Sequence, residues 1–272
     1  MAREVDRRES GMDRATPERR AELREAAAEV SAQQDGLRLT IRRYDPLTGN
    51  PAVVRVQGAP ASADGAGGPV RRALDLAQRI GRVLGLSPAQ ASQFAAAEPT
   101  VTSSGGSAVH LRQRYLGIPV FGAGVVVRFS PDGAPTEVAG RTVTITGTKP
   151  TVPAVSAQSA ALAAVRHLAA EPRTAATDPF GQPLPTTPLS LPSAAPTVIA
   201  VLTDRADSRT VLKFPAFDAP ATGNLVWFPL ADDRRLAWVL NITLPGADEE
   251  VEAVVDAVDE SVLYCCGSTI AG

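Results

Sequence analysis

Residues 109–129, VHLRQRYLGIPVFGAGVVVRF, constrain the fold of this chain more than any other stretch. Apolar and polar residues alternate from Val109 to Tyr115, the two-residue period of a strand with one buried face. Gly117 and Pro119 interrupt the alternation, which resumes from Val125 to Phe129. The segment reads as two strands around a bend. Ser130-Pro131-Asp132-Gly133 supplies turn chemistry, because proline presets one backbone dihedral and glycine permits the other. A third strand is expected at residues 142–146, completing an antiparallel meander.

A chain of 272 residues can bury a sizeable core in one large or two modest domains, and two are expected here. The net charge of -2 and predicted pI of about 5.8 give no support to a nucleic-acid partner held by phosphate neutralisation. Positive charge gathers early, at Arg7, Arg8, Arg14, Arg19, Arg20 and Arg24, but acidic residues are interleaved with it, as on a solvated helix face. No apolar run is long enough to cross a bilayer, and the first residues lack the apolar core of a secretory signal, so no membrane partner is expected. The only cysteines, Cys265 and Cys266, are adjacent. That excludes a disulfide framework and a zinc site of spaced cysteine pairs, and two strand residues with one facing inward is the expectation.

Taken in order, residues 16–34 read as a helix capped by Thr16 with Pro17 in its first turn. Its few large apolar residues, Leu23 and Val30, predict weak packing, and the part before Thr16 is a candidate for disorder. Residues 38–56 read as a hairpin, and residues 70–84 as an amphipathic helix through Leu74, Ala77, Ile80, Val83 and Leu84. Ser87-Pro88 opens a short helix expected to run through Phe94. After Pro150 an alanine-rich helix is expected at 156–170, then a proline-rich loop at 172–196. Strands follow at 197–202, 210–214, 225–228, 236–244, 251–258 and 262–266.

Catalytic motifs are absent. His110 and His167 are the only histidines, and neither lies in the paired-histidine motif of a zinc peptidase. His110 is expected to be solvated on a strand, and His167 to interact with its helix C-terminus. No Gly-x-Ser-x-Gly elbow and no phosphate-binding glycine loop occur. The carboxylates Asp248, Glu249, Glu250, Glu252, Asp256, Asp259 and Glu260 match no calcium loop and read as a solvated acidic edge. Trp227 and Trp238 are expected in the core. No catalytic residue, no metal ligand and no cofactor are expected in this chain.

The string RQRYLGIPVFGAGVVVRFSPDG, with Gln113, Gly117, Pro119 and Val120 in order before an apolar strand and an Asp-Gly turn, resembles the propeptide signature of fungalysin/thermolysin-type zinc metallopeptidases. Downstream, RLAWVLNITL and AVVDAVDESVLY resemble the strand pair that ends the PepSY-type module of these precursors. There the second string usually reads Val-Asp-Ala-x-x-Gly, and Glu260 stands in place of the glycine, so a different turn with surviving strand pairing is expected.

The resemblance implies an α+β fold of two modules, each a helix packed on an antiparallel sheet (PepSY/cystatin-like). Residues 1–36 would be a charged helical extension, 37–150 the propeptide-like domain and 151–272 the PepSY-like domain. It implies a non-catalytic module that assists folding of a zinc metallopeptidase catalytic domain, in cis or trans, and inhibits it by covering its cleft; zinc belongs to that partner alone. Partner contacts are expected around the bend, at Gln113, Tyr115, Gly117, Ile118, Pro119 and Phe121. A freestanding adaptor or structural subunit that keeps the fold and binds another protein is the alternative, favoured by the missing leader and catalytic domain. Secretion, by family, and a cytoplasmic or non-classically exported protein, by sequence, stay open.

Overall fold

The computed structural model describes residues 5–8, 14–34, 36–58, 68–147, 150–170, 182, 194–202, 205–230, 234–245 and 249–269. The fold is mixed α+β, mostly strand, with four helices among the described residues. Two units make up the chain, Glu9–Thr148, and Lys149–Gly272 together with Met1–Arg8. The first strand, β1 (Val5–Asp6), therefore belongs to the C-terminal unit, where the sequence suggested a helical extension. Two residues are too short for periodicity to reveal.

In the N-terminal unit follow α1 (Pro17–Gln33), β2 (Arg38–Tyr44), β3 (Pro51–Gln57), α2 (Pro69–Arg79), α3 (Pro88–Ala91), β4 (Phe94–Ala96), β5 (Thr100–Val101), β6 (Ser107–Tyr115), β7 (Ile118–Phe129) and β8 (Pro135–Arg141). The strands pair antiparallel in the order β2-β3-β8-β7-β6, and β4 and β5 lie along the far edge of β6. Inward positions alternate as the sequence demands: Val54 and Val56, Val109 and Leu111, Val125 and Val127 are all buried. Against them lie Ala73, Leu76, Ala77 and Ile80 of α2 and its extension, with Ala26, Ala27 and Val30 of α1.

Thr16 caps α1 as expected, its hydroxyl accepting from the Arg19 N–H at 3.2 Å. The helix packs more firmly than its composition suggested, because Ala26 and Ala27 are small enough to bring it close to β2, and Leu23 is 2% exposed. The helix expected over 70–84 ends at Arg79, but hydrogen-bonded turns carry the chain on and keep Val83 and Leu84 buried. The helix after Ser87 ends at Ala91, and Phe94 opens β4 opposite Gln113.

The third strand of the meander also differs from expectation. It is Pro135–Arg141, which returns beside β7 directly after the Asp132-Gly133 turn, whereas residues 142–146 belong to no strand. Val143 and Ile145 are buried while Thr144 and Thr146 are exposed, so the segment alternates as a strand does. Its backbone is held instead by three buried side-chain amides, those of Asn50, Gln90 and Gln113.

The C-terminal unit contains α4 (Ala157–Ala170), β9 (Thr197–Val201), β10 (Thr210–Lys213), β11 (Ala221–Pro229), β12 (Arg234–Thr243), β13 (Glu249–Asp256) and β14 (Val262–Thr269). Antiparallel pairing gives β1-β14-β13-β12-β11-β10-β9. The buried alanine face of α4 lies against this sheet, and Trp238 donates its indole N–H to the Val155 carbonyl at 2.8 Å. Trp227 and Trp238 are both core residues, at 1% and 4% exposure. On β14 Cys265 faces inward and Cys266 is half-buried, both as thiols. The proline-rich loop expected at 172–196 lies outside the described residues apart from 182 and 194–196, as does Asp248.

Candidate functional site

The β6–β7 hairpin runs from the pair Ser107–Phe129 down to Arg112–Gly124, then shifts register and closes at Arg114–Pro119 and Tyr115–Ile118. The shift leaves residues 120–123 of β7 bulged opposite Gln113, with Gly122 at φ 64°. Two residues, Leu116 and Gly117, make the turn.

Both have positive φ, 52° and 78°, the combination of the tight hairpin turn whose twist matches the flanking strands. Glycine adopts it freely and asparagine is the usual first residue. A leucine there costs about 1–2 kcal/mol. Gln93 holds the strained turn: its side-chain oxygen accepts from the Leu116 N–H at 2.7 Å, and its carbonyl accepts from the Arg114 N–H at 3.1 Å. Arg114 in turn donates to the Gly117 carbonyl at 3.0 Å. The result is a hydrogen-bonded tip that lifts an apolar side chain, 48% exposed, into solvent.

The residues expected to contact a partner divide by burial. Gln113 is fully buried, donating to the Val143 carbonyl at 2.7 Å and accepting from its N–H at 2.9 Å, and Ile118 is 1% exposed. Gly117 forms the turn, and Tyr115, Pro119 and Phe121 are part-exposed beside it. Leu116 is absent from the residues picked by sequence. The available signal was a leucine in the turn position that polar, left-handed-tolerant residues normally fill.

Elsewhere, His110 is exposed on β6, and the His167 Nε2 is buried without a hydrogen bond among the described residues. No three His, Cys, Asp or Glu side chains among the described residues are grouped to hold a metal ion. Within the acidic edge Asp256 is a structural group: it accepts from Arg235 at 3.0 Å and from the Val258 N–H at 2.7 Å. Burial, reinforced by the charge of Glu250 and opposed by Arg8, pushes the Glu252 carboxyl up. Hydrogen bonds from Ser261 hold Asp259 below the usual carboxylate range. Glu260 sits at φ 64°, the left-handed conformation that glycine favours at such a turn.

Residues 92–142 match the Fungalysin/Thermolysin Propeptide Motif. The matched range runs from the end of α3 to the end of β8 and contains the whole strained tip with its Gln93 support. Gln113, the motif-bearing residue of the sequence, is thus the clamp on the segment that follows the matched range. No curated protein matches the chain. Among solved structures the Bacillus megaterium YpeB C-terminal domain is similar, 10% identical over 90% of this chain and 95% of that chain. Its TM-score of 0.31 is too low for the likeness to carry an argument. No helix among the described residues is long and apolar enough to cross a membrane.

Proposed function

We propose that the chain is a propeptide-type module of a fungalysin-like zinc metallopeptidase: it assists folding of the catalytic domain and inhibits it by covering the active-site cleft. The single observation that carries this reading is the propeptide motif over residues 92–142. The strained tip inside that range supports a role in contact, because backbone strain persists where the surrounding structure holds it for a purpose.

Inhibition of this kind needs no reactive residue. A hairpin tip seated in a cleft excludes substrate, and its two-residue turn cannot open into an extended, cleavable form without breaking the β6–β7 ladder. Leu116 supplies the apolar anchor and Tyr115, Pro119 and Phe121 widen the contact. Zinc and the water-activating groups belong to the partner. The C-terminal unit is assigned as the PepSY-type module, supported by the strings RLAWVLNITL and AVVDAVDESVLY, which lie on β12 and on β13 to β14.

The folding role is tested by diluting a denatured fungalysin-type catalytic domain from urea with and without equimolar chain, then removing the chain and assaying peptide hydrolysis. Higher recovered activity with the chain present is expected, and an unchanged yield refutes that role.

A further inference from the structure

The sheet of the N-terminal unit has one face under α1 and α2 and, among the described residues, no helix on the other. Its strands carry arginines at three positions on β2, two on β6 and one each on β3, β7 and β8, against one carboxylate, Glu137. Cross-strand pairing lines up Thr40, Arg55, Glu137 and Arg128 on the outward face. Arg128 approaches Glu137 at 3.7 Å. Arg42, Arg55, Arg128, Thr136 and Glu137 line a shallow depression of about 410 Å³. Further along the same face Arg112 is exposed on β6.

Arg42, Arg55 and Arg112 have no carboxylate within ion-pair distance among the described residues. A guanidinium is a planar fork suited to two-point contact with a carboxylate. Glu137, in a row between Arg55 and Arg128, already shows how a carboxylate sits on this face. Arg55 and Arg128 flank one strand and so stand about 10 Å apart, two strand spacings.

We propose that this face docks an acidic segment of another polypeptide, whose carboxylates pair with Arg42, Arg55 and Arg112. The proposal concerns the sheet face and not the hairpin tip, so it stands independently of the propeptide reading. A nucleic acid fits less well: Glu137, set between Arg55 and Arg128, repels a continuous phosphate backbone that cannot avoid it, whereas the flexible side chains of an acidic peptide can turn away from it.

The test is fluorescence anisotropy of a labelled poly-glutamate peptide titrated with the full chain at low and high ionic strength. Saturable binding that weakens with salt is expected. The pair Arg42→Gln/Arg55→Gln is expected to weaken it about tenfold, and the pair Arg24→Gln/Arg79→Gln, on exposed helix positions, by less than about twofold. Thermal melts of both pairs check folding, and Arg112→Gln on a different strand serves as an independent variant with a loss of a few-fold. Three results overturn the proposal: no saturable binding at low salt, equal loss in both pairs, or a DNA duplex that binds more tightly than the peptide.

Discussion

The side chain of Gln113 grips both backbone groups of Val143, donating to its carbonyl at 2.7 Å and accepting from its N–H at 2.9 Å. One amide thereby replaces a strand partner for a segment 30 residues away. Gln113→Leu keeps the volume but strands two buried backbone groups, and each such group costs about 1–3 kcal/mol. A loss of about 3 kcal/mol in urea unfolding is expected, whereas a loss under about 1 kcal/mol would mean that the segment finds other partners.

Glu260 holds a left-handed backbone at φ 64° and is exposed, with its N–H directed to the Asp256 carbonyl at 3.3 Å. Glu260→Gly removes the steric cost and adds chain entropy to the unfolded state, and the first effect is the larger. The variant is expected to gain about 0.5–1 kcal/mol, read as a higher melting temperature. A drop would show that the glutamate side chain contributes to the turn.

Glu252 gives the C-terminal unit a pH dependence. Its folded carboxyl holds a proton more tightly than the unfolded one, because of burial and then Glu250, against the opposing charge of Arg8. A raised folded value means stability that is fully present below the unfolded value, about 4.3, and is lost as pH rises through the folded value. Glu252→Gln should therefore be more stable than the parent at neutral pH and lose that advantage in acid. Denaturant midpoints at both pH values read this directly, and an advantage that grows in acid contradicts the assignment.

If the strained tip makes the proposed contact, stability and binding respond to its sequence in opposite senses. Leu116→Asn puts the preferred residue into a turn whose φ values are both positive, so a gain of about 1 kcal/mol is expected. The same change removes the exposed apolar side chain. A variant that melts higher yet binds its partner less well is the signature of strain kept for contact, and a variant that melts lower shows that Leu116 packs usefully on the free module.

Much of this architecture was legible in the sequence. Alternation located β6, the return of β7 and the β2–β3 hairpin, and Thr16-Pro17 located the start of α1. The failures have common physical causes. In β8 only Val138 is buried, so PTEVAGR carries no visible period, although the ladder with β3 and β7 fixes it. Residues 142–146 alternate because Val143 and Ile145 face the core, but what holds their backbone is side-chain amides distant in sequence. At the bend, the motif drew attention to Gln113 and the expected exposure of a bend to Ile118; both are buried, while Leu116 is presented to solvent. Local pattern reports which residues are buried and does not report what their backbone bonds to.

Whether the Leu116 tip closes a peptidase cleft, as proposed, is read most directly by titrating the chain and its Leu116→Asn variant into an active fungalysin-type catalytic domain while following initial rates of peptide hydrolysis. The expected result is saturable inhibition by the parent chain and inhibition at least about tenfold weaker by the variant, the effect of losing one central apolar anchor. A parent chain that is digested without any fall in initial rate, or a variant that inhibits equally well, contradicts the claim.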